Sequence, residues 1–476
     1  MKLTQKINLS IHGSTIMKQF SQKTLSKSKI YTIEITGLTH EGQGVGKLDG
    51  FVVFVDGALI GEIVDVKIIK QTKSYAVGSV VRLQKPSEKR AEPFCSAFDK
   101  CGGCSIQHMS YDAQLEFKTD TVRQNLKRIG GLDNLLVNNA IGMEQPFHYR
   151  NKVQYPVGSC GSDVVIGFYE KGSHNIIESK ECNIQPEESN EIRDVVRDFF
   201  KANGISIYNE KTGKGFLRHV MVRKGFKTNE LMVVLVVNGK KVPKADQLVR
   251  LLCEKYENIK SIIVNVNARN TNIILGDKNT CIYGQEYISD YIGKYKFNIS
   301  PLSFFQVNPV QTEVLYNKAL EYAGLTGNET VFDLYCGIGT ISLFLSEKAK
   351  KVIGVEIVPD AIADAKRNAE LNGIENVEFL VGEAETVIPK LYEEGTRADV
   401  VVVDPPRKGC EEGLLKTLVD MQPQHIVYVS CNPSTLARDM KFLCENGFEA
   451  KFVQPVDMFP WTGHVETVVL MSRVDK

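Results

Sequence analysis

Residues 331–340, Val-Phe-Asp-Leu-Tyr-Cys-Gly-Ile-Gly-Thr, constrain this chain more than any other stretch. A short apolar run ends in an acid, and a Gly-x-Gly turn then opens a helical pattern at Ile341–Ser346. That is the strand–turn–helix start of a nucleotide-binding α/β unit, in which glycines let the backbone pass close to a ligand. Gly-x-Gly turns also serve simple packing, so the context matters. The next apolar run, Lys351–Glu356, ends in an acid about 20 residues past the glycines, where ribose hydroxyls are held in such units. Further runs at 377–381, 399–404 and 425–430 and a closing pair near 452 and 465–471 alternate with helical patterns at 361–372 and 434–444. This alternation predicts an α/β, doubly wound parallel sheet over 301–476. A dehydrogenase shares the first two strands, so the cofactor class rests on the remaining motifs.

At 476 residues with 43% hydrophobic content, the chain is long enough for about two to four domains. The net charge of +1 hides an uneven distribution: residues 1–30 hold six lysines and no acid, and residues 211–229 hold six Lys/Arg and no acid. Residues 1–29 read as a flexible basic arm. Apolar or alternating runs at 33–37, 50–57, 62–69 and 75–81, separated by Gly-rich turns, predict a small β-barrel over 30–86. Lys67, Lys70, Lys73 and Arg82 would meet phosphates on such a barrel; the alternative is a barrel that only packs on its neighbour. With no apolar run of about 18 residues and no apolar signal core, the expected compartment is the cytoplasm, away from any membrane.

A charged, proline-bounded linker at 85–93 leads to Cys95-x5-Cys101-Gly-Gly-Cys104. Three cysteines this close, two joined by a Gly-Gly pair that lets the backbone fold around an ion, indicate a metal site. A fourth ligand is needed, and spacing leaves Cys160 and Cys182 both open, as it leaves open tetrathiolate zinc against an iron–sulfur cluster. Residues 93–300 otherwise read as a mostly β middle domain with helices over 111–129, 187–201 and 245–256. The basic residues of its runs at 150–156 and 216–223 are expected to point from a sheet face toward RNA.

Three motifs fall where strands of the α/β sheet meet its ligand edge. Asp404-Pro-Pro-Arg-Lys-Gly409 fixes a carboxylate with proline stiffness. Ser430-Cys431-Asn-Pro433 places a thiol at a strand end ahead of a helix, where the helix terminus and Arg407 or Arg438 would favour a thiolate nucleophile; elsewhere a small buried cysteine would be the default. His464-Val-Glu466-Thr467 starts an apolar strand with an acid that is either salt-bridged or, if desolvated, raised in pKa to serve as a base.

Together with Ser303-Phe-Phe-Gln-Val-Asn-Pro309, these motifs resemble the S-adenosylmethionine-dependent RNA uracil-5 methyltransferases. The barrel resembles a TRAM (OB-like) domain, and with the Cys95, Cys101, Cys104 triad the chain resembles the 23S ribosomal RNA branch, from about residue 30 to the end. The resemblance implies Cys431 as nucleophile and Glu466 as base. It implies S-adenosyl-L-methionine contacts at Gln306, Tyr335, Glu356 and Asp404, and Cys182 as fourth ligand of a [4Fe-4S] cluster. The expected partner is RNA, met by a monomer whose methyltransferase domain is the Rossmann-like 301–476. The competing enzyme is an amino-group N-methyltransferase using the Asp-Pro-Pro turn, which would want an aromatic where Arg407 stands; a transfer RNA uracil-5 methyltransferase and a non-enzymatic iron–sulfur RNA-binding protein complete the alternatives.

Overall fold

A computed structural model describes residues 25–27, 29–161 and 163–474; the basic arm expected over 1–29 lies almost wholly outside them. Contacts divide the chain into two compact units. One runs to Thr39 and continues over Gln43–Ser87; the other joins His40–Gly42 to everything from Glu88 onward.

In the first unit β1 (Ile30–Leu38), β2 (Gly44–Leu48), β3 (Phe51–Asp56), β4 (Ile63–Gln71) and β5 (Tyr75–Lys85) close into a barrel in the order β1-β2-β3-β5-β4. Strand alternation sends Ile33, Ile35, Val53, Val55, Val64 and Val66 into its core. β2 reads in the sequence as a Gly-rich turn. Its glycines are there because the strand crosses β1 too closely for side chains: a Cβ at Gly46 would lie 2.4 Å from Ile33 Cγ2. Lys67, Lys70, Lys73 and Arg82 are exposed.

The second unit begins with α1 (Tyr111–Arg128). There follow β6 (Lys152–Cys160), β7 (Asp163–Ile166), β8 (Phe168–Tyr169), β9 (Ile176–Ile177), α2 (Glu187–Ala202), β10 (Leu217–Lys224), β11 (Leu231–Val237), α3 (Ala245–Lys255), β12 (Ile259–Val266) and β13 (Lys278–Gly284). Six of these strands form a sheet in the order β13-β12-β11-β10-β6-β7. One face is covered by Ile192, Val196 and Phe200 of α2 and Leu248 and Leu252 of α3. The run at 164–169 is divided into β7 and β8 because Gly167 approaches the chain so closely that a Cβ would lie 1.9 Å from Ile177 O. Arg218 and Arg223 do not form the expected RNA-facing row. Both are buried, Arg218 donating to Asn267 O and Arg269 O (2.8 and 2.7 Å) and Arg223 to Ser303 O (2.7 Å), because carbonyls of crossing loops need those donors.

The hairpin β14 (Ile288–Ile292) and β15 (Tyr295–Ile299) leads into α4 (Pro309–Ala323), capped by the Asn308 side chain. The α/β layer then runs β16 (Thr330–Leu334), α5 (Thr340–Ser346), β17 (Lys351–Glu356), α6 (Pro359–Leu371), β18 (Val377–Val381), α7 (Ala384–Glu393), β19 (Val400–Val403), α8 (Glu412–Met421), β20 (His425–Ser430), α9 (Pro433–Glu445), β21 (Phe448–Val456) and β22 (Glu466–Arg473). The sheet order is β18-β17-β16-β19-β20-β22-β21, parallel except that β22 is antiparallel to both neighbours. This is the doubly wound fold the strand–helix alternation predicts, with an N-terminal barrel and a mostly β middle. The middle and α/β sheets share one core: Met221, Met232, Val234 and Ile263 pack in the same cluster as Leu315, Val331 and Val427. On the opposite side Val122 and Leu126 of α1 enter the core formed with Leu436, Ala437 and Val453.

Candidate active site

The strand order reverses between β16 and β19, and the crevice off the carboxyl ends of such strands is where open α/β sheets bind ligands. Asp333 and Tyr335 stand at the end of β16, Glu356 ends β17, Asp404 follows β19 and Cys431 follows β20. Because β22 runs antiparallel to β20, with Ser430 opposite Thr467, its first residue, Glu466, falls at this same edge beside Cys431. Asp404 N–H donates to Leu334 O at 3.3 Å, which ties the ends of β19 and β16 together.

The turn after β16 is built to leave space. Tyr335 has φ 66°, a left-handed conformation rare for an aromatic residue, and its hydroxyl donates to Glu385 Oε1 at 2.7 Å. Gly337, at φ 54°, donates its N–H to Glu356 Oε2 at 3.2 Å, and a Cβ there would meet nothing within 4 Å. Gly339, at φ 80°, serves packing instead: a Cβ would lie 2.8 Å from the Phe379 ring. Glu356 Oε1 accepts from Val358 N at 3.0 Å, so two backbone donors hold that carboxylate. Gln306 belongs to a different segment, ahead of α4, and is anchored through its main chain, its carbonyl accepting from Asn151 Nδ2 at 2.9 Å.

Three acids at this edge are pushed upward. Asp333, fully buried, is raised to about 7 by burial first and by the charges of Asp404 and Glu356, against the 2.5 Å hydrogen bond from Ser342 Oγ. Asp404, though part of its surface is accessible, is closely surrounded by protein atoms that raise it to about 7. Glu466 rises to about 8, from burial and then the charge of Asp404, with Arg407 opposing. Among the described residues it has no ion-pair partner, so the salt-bridged alternative for Glu466 does not hold.

Cys431 departs from the thiolate expectation. Burial, then the negative charges of Glu466 and Asp404, push its thiol up to about 11, and Arg407 pulls the other way. Arg438 is committed elsewhere, donating to Asp439 Oδ1 (2.7 Å), Lys408 O (3.0 Å) and Cys410 O (3.1 Å). The two acids that the sequence motifs bring to the same edge thus outweigh the basic neighbour that the thiolate expectation rested on.

Elsewhere in this unit Cys95, Cys101, Cys104 and Cys182 line one cavity of about 210 Å³. Gly103 N–H points at Cys101 Sγ (3.4 Å), and Gly102 N–H donates to Tyr169 O (3.1 Å), which folds the Gly-Gly turn back over the thiols. Cys160 is exposed at the end of β6 and is not part of the wall. Among the described residues, no three His, Cys, Asp or Glu side chains converge closely enough to hold a bare metal ion.

The sequence pattern of the family described as tRNA (Uracil-5-)-methyltransferase matches residues 110–474, and that of the TRAM domain residues 27–81. An uncharacterized RNA methyltransferase of Clostridium acetobutylicum is 54% identical over 454 residues, covering 95% of this chain and 99% of its own. One of Clostridium tetani is 54% identical over 448 residues, covering 94% and 97%. Among solved structures, the Pyrococcus abyssi tRNA (uracil-54, C5)-methyltransferase in complex with S-adenosyl-L-homocysteine superposes with a TM-score of 0.75 at 29% identity, covering 92% of this chain and 99% of that one.

Proposed function

The chain belongs to the tRNA (Uracil-5-)-methyltransferase family and is an RNA uracil-5 methyltransferase, and from this premise we propose that it methylates carbon 5 of a uridine in 23S ribosomal RNA, with Cys431 as nucleophile, Glu466 as base and S-adenosylmethionine as methyl donor. The observation that carries the assignment of roles is the strand register that sets Cys431 and Glu466 side by side at the switch-point edge, with Asp404 and Arg407 in electrostatic reach of both.

The residue types follow from the chemistry. Uracil carbon 5 is too weak a nucleophile to be methylated directly. The Cys431 thiol releases its proton to solvent, and addition of the thiolate sulfur to carbon 6 shifts the ring double-bond electrons to make carbon 5 an enolate carbon. S-adenosylmethionine supplies an electrophilic methyl group to that carbon. Carbon 5 then carries both a methyl group and a proton. Glu466 takes the proton, the ring double bond re-forms, and the Cys431 sulfur leaves with the electron pair of its bond to carbon 6. A carboxylate raised to about 8 is a stronger base for this step than an ordinary one. Arg407 supports the transient Cys431 thiolate. Since both faces of the pyrimidine double bond must be reached, the target uridine is taken out of its stack.

Gln306, Tyr335, Glu356 and Asp404 are proposed to hold the methyl donor. The fixed carboxylate of Glu356 suits ribose hydroxyls, the open space over Gly337 admits the ligand, and the acid edge suits a sulfonium. The four cysteines are proposed to hold a [4Fe-4S] cluster that cross-links the loop around Cys101 to the segment at Cys182. Thiols spread over the wall of a 210 Å³ cavity fit a multi-atom centre better than a single zinc ion, whose sulfurs crowd within ~2.3 Å of the metal.

The 23S assignment is supported by the combination of barrel and cysteine quartet. Transfer RNA is a second reading, favoured by the substrate named for the similar Pyrococcus enzyme. Unmodified 23S ribosomal RNA and unmodified transfer RNA, each incubated with protein and labelled S-adenosylmethionine, decide between them by nucleoside mass spectrometry. Label in 5-methyluridine from 23S RNA alone is expected. Label from transfer RNA alone moves the substrate, and label in a methylated adenine overturns the use of Cys431.

A further inference from the structure

Glu466 reaches the active edge from an unusual tether. β21 and β22 are antiparallel, with Val456 opposite Glu466, so residues 457–465 form the connection that delivers the carboxylate. A connection of that length has no internal ladder to fix it, yet this one is held at both ends and at its tip.

At its base Asp457 is fully buried and ion-paired to the equally buried Lys118 of α1, and it accepts from Tyr111 Oη at 2.9 Å. Lys118 Nζ also donates to Phe459 O at 3.0 Å. At its tip is Trp461, φ 69° and buried. Every polar group of Trp461 is used: N–H to Gln114 Oε1 (3.0 Å), Nε1–H to Pro146 O (2.7 Å), and its carbonyl accepts from Ser105 N (3.0 Å) and Ile106 N (3.2 Å). Gly463 N–H donates to Ser105 Oγ at 3.2 Å. A bulky residue held at positive φ costs free energy, so it persists only where surrounding contacts over-determine it.

Ser105 is the neighbour of Cys104. The Trp461 ring packs against Phe94 (centroids 4.9 Å), Phe147 (5.3 Å) and Tyr111 (5.6 Å), within a small core shared with Cys104 and Cys182. The loop that bounds the four-cysteine cavity therefore grips the middle of the connection that ends at Glu466.

We propose that Ser105 and Trp461 are positioning residues for Glu466, through which the loop after Cys104 sets where the carboxylate stands when it removes the carbon 5 proton. This rests on the assignment of Cys431 and Glu466 above. Both act on the connection 457–465 through its backbone and packing, so loss of either is expected to slow the step Glu466 serves and spare those before it.

The test uses the full-length protein with transcribed 23S ribosomal RNA and, in parallel, transcribed transfer RNA, following both released 5-methyluridine and RNA–protein adduct on denaturing gels. In S105A and W461F, turnover falls roughly 10- to 100-fold while methyl-labelled adduct accumulates and KM for S-adenosylmethionine holds, since a misplacement of about 1 Å is costly to catalysis. Ser105→Thr keeps the hydroxyl and restores release. E466Q is the reference, because it should trap the same adduct. If E466Q traps adduct and S105A and W461F release product at the wild-type rate, or lose turnover with no adduct, the positioning role is overturned. If E466Q itself traps none, it is the assignment of Glu466 that fails.

Discussion

Ser430 of β20 stands opposite Thr467 of β22 across an antiparallel ladder, and the next residue on each strand toward the ligand edge is Cys431 on one and Glu466 on the other. The proposed nucleophile and base are thus set by strand register. A slip of one residue would turn Glu466 to the other face of the sheet. Strand register is most rigid where both faces are buried, as they are along Ile426–Ser430 and Glu466–Leu470.

Substitution of the two residues should separate the two halves of the reaction. Cys431→Ala is expected to abolish methylation and to form no RNA adduct. Glu466→Gln is expected to lower turnover by about 10²- to 10⁴-fold, the range for loss of a general base, while methylated adduct accumulates. Mass spectrometry of nuclease-treated protein reads the adduct directly. Methylation that survives in Cys431→Ala would sink the covalent route.

The pH dependence of adduct breakdown follows from the burial of Glu466. A base acts only when ionised, and Glu466 is raised to about 8, so breakdown in pre-steady-state experiments should rise with pH up to about 8 and then level off. Asp404→Asn removes the second cause of the upward shift, so the midpoint moves to lower pH, measured at saturating S-adenosylmethionine. An unchanged midpoint would mean that another group titrates.

Binding of the methyl donor should be linked to the same acids. Asp333, Asp404 and Glu466 sit above their unfolded values of 3.8 to 4.5, at about 7, 7 and 8, so the folded protein holds protons that the unfolded chain has released. For raised carboxylates the sign is fixed: their contribution to stability is greatest at low pH and is lost as pH rises from about 4 toward 8. A cation at this edge favours the ionised forms. S-adenosylmethionine, a sulfonium, should therefore bind more tightly as pH rises from 6 to 8 and release protons, whereas neutral-sulfur S-adenosylhomocysteine should show a smaller slope. Calorimetry in buffers of different ionisation enthalpy counts the protons.

Much of this site is legible in the sequence because it is written in local signals: strand ends, Gly-x-Gly, Asp-Pro-Pro, Ser-Cys-Asn-Pro. The electrostatics are not, because they depend on distant segments. Nothing near Cys431 in the chain announces that Glu466 and Asp404 outweigh Arg407 and raise the thiol to about 11. The barrel strand β2 hides behind glycines that close packing demands, and Arg218 and Arg223 look like phosphate ligands until the carbonyls they satisfy are seen. Lys118 is an unremarked helix lysine in sequence, and its partner Asp457 is more than 300 positions away.

That buried pair gives a stability prediction. Lys118 and Asp457 have no exposed side-chain surface, so Lys118→Ala strands a buried carboxylate and should cost about 3–5 kcal/mol. Lys118→Ala with Asp457→Asn should recover part of the loss, because the uncompensated charge is gone. Urea unfolding of the single and double variants measures the coupling; additive losses would show that the pair contributes nothing beyond its packing.

The cysteine cavity predicts its own contents. Cys182 lines it with Cys95, Cys101 and Cys104, and Cys160 does not. Protein purified without oxygen should carry about four irons and a visible sulfur-to-iron absorption band. Cys182→Ala should lose both, while Cys160→Ala keeps both. Zinc without iron in the anaerobic protein would replace the cluster by a tetrathiolate site. Iron retained in Cys182→Ala but lost in Cys160→Ala would move the fourth ligand to an exposed strand end, and no thiol there borders the cavity. Since Cys104 and Cys182 share a core with Trp461, removal of the proposed metal centre by chelation should also loosen the connection 457–465, read as faster amide hydrogen exchange there than in β20. Equal exchange before and after chelation would separate the centre from the active edge.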